Sequence, residues 1–235
     1  MALVEDASAP APLTSITGGP GPTGVTTASF NPPAGSLILM VITSDATNVG
    51  NSATATVTDS LGNTFTPQVQ VSASVTGYAG IFTKYLASAQ TGYSVTVVLN
   101  SAQMQTATFS AGYIFQTFVI TGANTVQNGS SVSGTGSGAL SLTTTPTVLG
   151  SYMYGSTNDF SNGITFAPNA ATTLKNSTLT GTGSGNDAWA IFRSTNSTSS
   201  LTGQTFGFTN ADQHAIALYE VMPGITPATI AWLTA

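Results

Sequence analysis

An antiparallel all-β sandwich is what three features of this sequence predict. Leu37 to Ile42 are six unbroken apolar residues, rich in branched side chains, set behind the breaker tract Asn31-Pro32-Pro33-Ala34-Gly35. A run that short between breakers is a buried strand rather than a helix. Val69, Val71, Ala73 and Val75 alternate with Gln70, Ser72, Ser74 and Thr76, the period of a sheet that is wet on one face. No stretch carries the 3.6-residue apolar period of an amphipathic helix.

Taken in order, residues 1–24 are rich in Ala, Pro, Gly and Thr and include Gly18-Gly19-Pro20-Gly21-Pro22. They read as an extended N-terminal arm, with a loose terminus as the alternative. Leu3, Val4, Leu13 and Ile16 are the side chains through which such an arm would dock on a partner. After the central strand, Ala53, Ala55 and Val57 alternate with Thr54, Thr56 and Thr58. Asp59-Ser60-Leu61-Gly62-Asn63 then places Asp first and Gly fourth, as a type I turn prefers, so a β-hairpin is expected. Residues 78–86, 93–99 and 106–121 supply further strands, the last holding Tyr113, Phe115 and Phe118.

The second half repeats the first in outline. Thr145 to Tyr154 echo the Pro-Gly-apolar run that ends at Ser44, and Ala79 to Lys84 are answered by Trp189 to Ser194. Residues 93–97 find a counterpart near Thr205 to Phe208, and Ile114 to Ile120 find one in Ile216 to Val221. The domain 25–222 is therefore expected to consist of two pseudo-repeated halves, 25–122 and 123–222, of about five strands each. These would close into one sandwich, for which a jelly roll is one available topology. The Gly-rich tracts at 134–138 and 181–185 read as linkers, since neither has the strand-before, helix-after context of a phosphate-binding loop. Residues 223–235 form a Pro-punctuated C-terminal tail in which Ile230, Trp232 and Leu233 call for an apolar surface to pack on.

Composition removes several classes of function. Only 5% of the 235 residues are charged, against roughly 25% in ordinary soluble domains. Lys84, Lys175 and Arg193 are the only basic residues, too few to neutralise a row of phosphates, so no nucleic-acid partner is expected. Cysteine is absent, which excludes disulfides, thiol nucleophiles and zinc-thiolate sites. The N-terminus, with Glu5 and Asp6, lacks the basic and apolar regions of a secretory signal, and no apolar run reaches membrane-span length. No membrane partner is expected, and an extracellular role would need a route other than a standard signal peptide, of which release within an assembled particle is one.

Chemistry is sparsely signalled. His214 is the single histidine, with Asp212 two residues away and no Gly-x-Ser-x-Gly elbow, so neither a hydrolase triad nor a histidine metal cluster is expected. Asp45, Asp59, Asp159, Asp187 and Asp212 fall in expected loops, where turn capping accounts for them. A calcium site or a glycosidase pair is the other chemistry such loops would offer. Tyr152, Tyr154, Trp189 and Tyr219 are candidates for a sugar-stacking face, although strand aromatics more often pack in cores. The sequons at Asn128, Asn176 and Asn196 carry little weight in a Thr- and Ser-rich chain. No catalytic residue, cofactor or resident metal is expected.

Met1-Ala2-Leu3-Val4-Glu5-Asp6-Ala7-Ser8-Ala9-Pro10, Thr26 to Leu37, and Val57-Thr58-Asp59-Ser60-Leu61-Gly62-Asn63-Thr64-Phe65-Thr66 together resemble small virion proteins of tailed phages that infect actinobacteria. Those are minor tail or head decoration proteins built as β-sandwiches. The resemblance covers the first third of the chain and implies a non-enzymatic structural role on the virion exterior. It further implies assembly in the host cytoplasm, major capsid or tail proteins as partners, and a homo-oligomer, trimeric or higher. The alternative is a carbohydrate-binding or adhesin module for the host envelope, using Tyr152, Tyr154 and Trp189 on a surface glycan.

Overall fold

The computed structural model describes residues 1–16, 23–44, 54–73, 77–100, 112–159, 163–180 and 186–224. Among them the chain forms strands and no helix. The first nine are β1 (Val4–Glu5), β2 (Leu13–Ser15), β3 (Val25–Thr26), β4 (Ser36–Ser44), β5 (Ala55–Asp59), β6 (Thr66–Ala73), β7 (Gly77–Leu86), β8 (Val95–Leu99) and β9 (Tyr113–Thr121). The remaining five are β10 (Ser131–Thr144), β11 (Tyr152–Asp159), β12 (Thr172–Leu179), β13 (Ala188–Ser194) and β14 (Gln204–Val221). Three antiparallel sheets result: β1-β9-β4-β7-β6 with β2 also on β9, β3-β8-β5, and β10-β14-β11-β13-β12.

Alternation along β4 explains how the sheets stack. Ile38, Met40 and Ile42 point one way and pack with Val57, Val95 and Val97, closing a first sandwich between the large sheet and the three-stranded one. Leu37, Leu39 and Val41 point the other way and meet Tyr154, Trp189, Ile191 and Tyr219 of the second half. Along β13 the parity repeats. Ala190 and Phe192 enter a third core with Leu140, Phe206 and Phe208, while Trp189 and Ile191 face the shared layer. Each half is thus a sandwich, or lobe, with its own core, and the lobes join through a third apolar layer.

The second lobe closes because the ribbon of β10 and β14 bends. Its register slips between Ala139 and Ser141, opposite Gly207, whose φ is +126° and where an added Cβ would strike the Leu140 carbonyl. Beyond the bend, Phe206 and Phe208 face the same core as Ile216 and Leu218, and Pro168 bridges to Phe208 as β5 pairs with β8.

The two lobes repeat strand for strand. β9-β4-β7-β6 in the first corresponds to β14-β11-β13-β12 in the second. Gly35 and Gly150 take φ of +74° and +84° in matching turns. The serine after each sits over the turn, Ser36 Oγ donating to the Pro33 carbonyl at 2.7 Å and Ser151 Oγ lying 2.8 Å from the Val148 carbonyl. Both outer strands bulge at the same place, between Pro67 and Val69 opposite Phe82 and Ile81, and between Leu174 and Asn176 opposite Phe192 and Ile191. A bulge on an exposed edge discourages pairing with another sheet.

Several expectations need correction. The halves close as two stacked sandwiches rather than one, with nine strands and five, because β10 and β14 run unbroken where the first lobe divides into β1 to β3 and into β8 and β9. The three strand orders do not confirm a jelly roll. The turn at 59–63 forms, Asp59 Oδ1 accepting from the Leu61 and Asn63 amides, and closes a short antiparallel pairing of Thr58 with Thr64 before the chain crosses to the opposite sheet at β6. The alternation in β6 does hold: Val69 and Val71 pack against the second lobe while Gln70 on the other face is exposed. Gly134 to Gly138 belong to β10 and are not a linker, while 181–185 lie outside the described residues.

Trp189 is fully buried between the lobes. Trp189→Ala is expected to cost about 3–5 kcal/mol and to lower amide-exchange protection in β4 and β13 together. Loss confined to β13 would show that the lobes fold independently.

Candidate functional site

The first residues and the segment after β14 meet at one pole of the molecule. β1 pairs with the end of β9, Val4 opposite Thr121, and the Met1 ammonium donates to the Gly224 carbonyl at 3.0 Å. Gly224 N donates to the Gly122 carbonyl at 2.7 Å. Gly122 has a φ of +75°, and a side chain there would collide with the Ala2 carbonyl, so the close approach of the strands requires glycine. Gln127 locks Met222 from both sides, accepting from its amide at 3.0 Å and donating to its carbonyl at 3.3 Å. Between these segments lies a groove of about 310 Å³ walled by Met1, Leu3, Leu149, Tyr152, Ser197 and Pro223. Met1 and Leu149 on its rim are 72% and 55% exposed.

A buried carboxylate holds the floor of this pole. Glu220 is fully buried and receives the amides of Ser130, Thr147 and Val148 at 2.9–3.1 Å. The hydroxyls of Thr147 and Ser151 donate to it at 2.7 and 2.6 Å. Burial works against its charge, but the bonds from Ser151, Ser130 and Thr147 outweigh that and hold its pKa below the ordinary glutamate value. Residues 147–151, and Leu149 with them, are therefore rigidly presented.

Glu5 ties the N-terminal strand to the second lobe. Its carboxylate meets Lys175 Nζ at 2.7 Å, Arg193 Nη1 at 2.9 Å and the Tyr154 hydroxyl at 2.9 Å. Burial raises its pKa, while the Lys175 hydrogen bond and the Arg193 and Lys175 charges lower it further, to a net value below the ordinary one. Arg193 also stacks over Tyr152, 4.5 Å from the ring centroid.

The expected docking residues separate into three groups. Leu3 and Leu13 pack against the molecule's own cores, so the stretch from Val4 to Ser15 is extended but laid on its own body through pairing with β9. Val4 and Ile16 remain exposed. Ile230, Trp232 and Leu233 lie outside the described residues. Of the expected sugar-stacking set, Tyr154 and Trp189 are buried in the shared layer and cannot reach a glycan; Tyr152 alone, half-buried, borders the groove. The alternating Trp-Ala-Ile-Phe pattern, apolar on both faces, is the signal that β13 is covered on both sides.

The other candidates resolve as structure. His214 is buried, with Nδ1 2.8 Å from the Asp212 main-chain oxygen rather than a carboxylate. Asp59 caps its turn and accepts from the Tyr93 hydroxyl at 3.1 Å. Asp159 is fully buried, one oxygen accepting from Ile164 N at 3.1 Å. Burial first, and then Asp212 and Asp187, push its pKa up to about 7. Among the described residues no three His, Asp or Glu are grouped to hold a metal ion, and Asp45 lies outside them. The lone acid inside Ala-Ile-Ala-Leu-Tyr-Glu-Val is a local signal that Glu220 is a buried carboxylate, whereas nothing local marks Glu5 as a tie between the lobes.

Fold and site define a two-lobed β-sandwich protein with a preorganised groove at the pole where residues 1–3 and 223–224 meet. Compared with protein-family models, curated proteins and solved structures, the chain matches none.

Two outcomes follow for stability. Glu5 and Glu220 have folded pKa values below 4.5, so their contribution is present above that pH and is lost on acidification through the lowered values. Asp159 has a folded pKa of about 7 against an ordinary 3.8, so its contribution is complete below 3.8 and disappears as pH rises to about 7. Melting temperature is expected to peak between these limits, and Asp159→Asn is expected to remove the fall on the neutral side. Glu220→Gln turns a carboxamide NH2, itself a donor, toward donors that the carboxylate satisfied, and is expected to cost about 3 kcal/mol in chemical denaturation.

Proposed function

We propose that the chain is a non-enzymatic structural protein on the exterior of a tailed-phage virion, a capsid decoration or minor tail protein that stabilises or decorates the particle. The observation that carries this reading is the groove at this pole: exposed Met1 and Leu149 flank a recess whose floor is fixed by the bonds to Glu220. Exposed apolar surface held by buried carboxylate bonding suits a fixed protein partner, here the major capsid or tail protein. The docking element is this pole rather than a free N-terminal arm.

The resemblance of residues 1–10, 26–37 and 57–66 to such virion proteins supports the same reading. A protein with 5% charged residues gains little from electrostatic steering. Association would rest on shape, apolar area and the multivalency of a trimeric or higher homo-oligomer on a repeating surface.

The test uses purified particles that lack this protein. The wild type is expected to bind saturably, and Leu149→Asp to weaken binding at least about tenfold with an unchanged melting temperature. A monomer that fails to bind such particles would overturn the proposal. In native virions, a copy number matching the major capsid protein would assign the head, and a far smaller one the tail or portal.

A further inference from the structure

One sheet edge of the second lobe differs from every other edge among the described residues. The arm of β10 ahead of its bend, residues 131–139, pairs residue for residue with 211–219 of β14 and with no other strand. In an antiparallel pair every second residue turns its amide and carbonyl away from the neighbour, so the arm presents a row of unpaired donors and acceptors along its outer side. The remaining edges are blunted. β6 carries Pro67 and a bulge, β12 carries Lys175 and a bulge, and β1, β2 and β3 are only two or three residues long. β5 is closed at one end by the bridge from Thr58 to Thr64, and at the other by Gln70 Oε1, which accepts from Ala55 N at 3.2 Å.

No such device protects the 131–139 arm. It holds no charged residue and no proline, and Gly134, Gly136 and Gly138 leave its backbone bare of side chains. Ser131, Ser133, Thr135 and Ser137 between them are exposed. Residues 133–137 read Ser-Gly-Thr-Gly-Ser, a palindrome centred on Thr135. Two copies laid antiparallel about a two-fold axis at that residue set like against like: Thr135 against Thr135, Gly134 against Gly136, and Ser133 against Ser137. Hydroxyl then faces hydroxyl across the new pair, and no charge meets its like, although the chain as a whole carries −5.

We propose that two copies of this chain pair through this edge, their 131–139 arms antiparallel and centred on Thr135, so that two five-stranded sheets become one continuous sheet. The contact is isologous, the same surface serving both copies. A second copy is the occupant because the palindrome matches itself, whereas an unrelated strand would gain the main-chain bonds without the matched side chains. The pairing goes beyond the virion reading and does not depend on it, since a two-fold contact joins copies in pairs and a trimeric or higher assembly needs a further one. The pole at Leu149 is a separate surface. Failure to dock on particles leaves the pairing untouched, and a monomeric chain that still docks overturns the pairing alone.

The experiment follows the full chain by sedimentation and amide exchange from about 1 μM to about 1 mM. A dimer is expected to form as concentration rises, with added amide protection confined to residues 131–139. Thr135→Lys sets two ammonium groups against each other at the centre of the pairing, and is expected to raise the dimer dissociation constant at least about tenfold with an unchanged melting temperature. Because the chain has no cysteine, Thr135→Cys reads the register directly. Opposed residues have Cα atoms ~4.5–5.5 Å apart, within disulfide reach. This variant is expected to cross-link under oxidation at least about tenfold faster than Ser131→Cys, whose opposite number is Ala139. A chain that is monomeric over the whole range overturns the proposal. So does a dimer that Thr135→Lys leaves intact, or one whose added protection lies outside 131–139, because either puts the contact elsewhere. Equal cross-linking by the two cysteine variants overturns it as well.

Discussion

The apolar layer between the lobes is the constraint on which the rest of the structure depends. β4 is buried along its whole length because alternate residues serve two cores, Ile38 and Met40 inside the first sandwich and Leu37 and Leu39 against the second lobe. A single lobe would expose the second face as a continuous apolar patch, which isolated domains seldom tolerate. Phe118 and Ile81 on one side, and Tyr219, Trp189 and Ile191 on the other, cover each other from equivalent strands. The same geometry commits the aromatic residues of β11 and β13 to packing, which is why Tyr154 and Trp189 are withdrawn from any ligand.

With so few charges, the chain uses its acids as internal fasteners. Glu220 gathers five donor groups from two segments, Ser130 and residues 147–151, Glu5 joins an N-terminal strand to two cations of the other lobe, and Asp59 caps a turn. Each carboxylate sits where backbone or side-chain donors would otherwise be buried without partners, so removing one leaves several groups unsatisfied. Solvation falls to Thr, Ser and Asn, and the surface exerts little long-range field. What such a surface recognises it must recognise by contact.

Duplication supplies the scaffold, and departures from it supply the features that distinguish one end from another. The pole carrying Met1 and Leu149 draws on the N-terminal strand, the turn after Thr147 and the segment 222–224. It is not repeated elsewhere in the paired lobes, because terminal segments occur once in a chain of two repeats.

By itself, the sequence determined the local physics. The breaker tract and apolar run around Leu37 specify a buried strand, Asp59 and Gly62 specify a turn, and the match of Ala79 to Lys84 with Trp189 to Ser194 announces equivalent strands with equivalent inward faces. Tertiary structure alone decided what covers each face. A period of two tells that a strand has two sides, but Leu39 and Met40 are equally apolar, and nothing local says which neighbour each will meet. Sheet membership was likewise undecided, since the turn at 59–63 has the same residues whether the chain folds back as a hairpin or crosses to the opposite sheet. Glu220 shows the same limit at the level of the site: whether a charge is satisfied depends on partners that lie tens of residues away in the chain and are brought near only by packing.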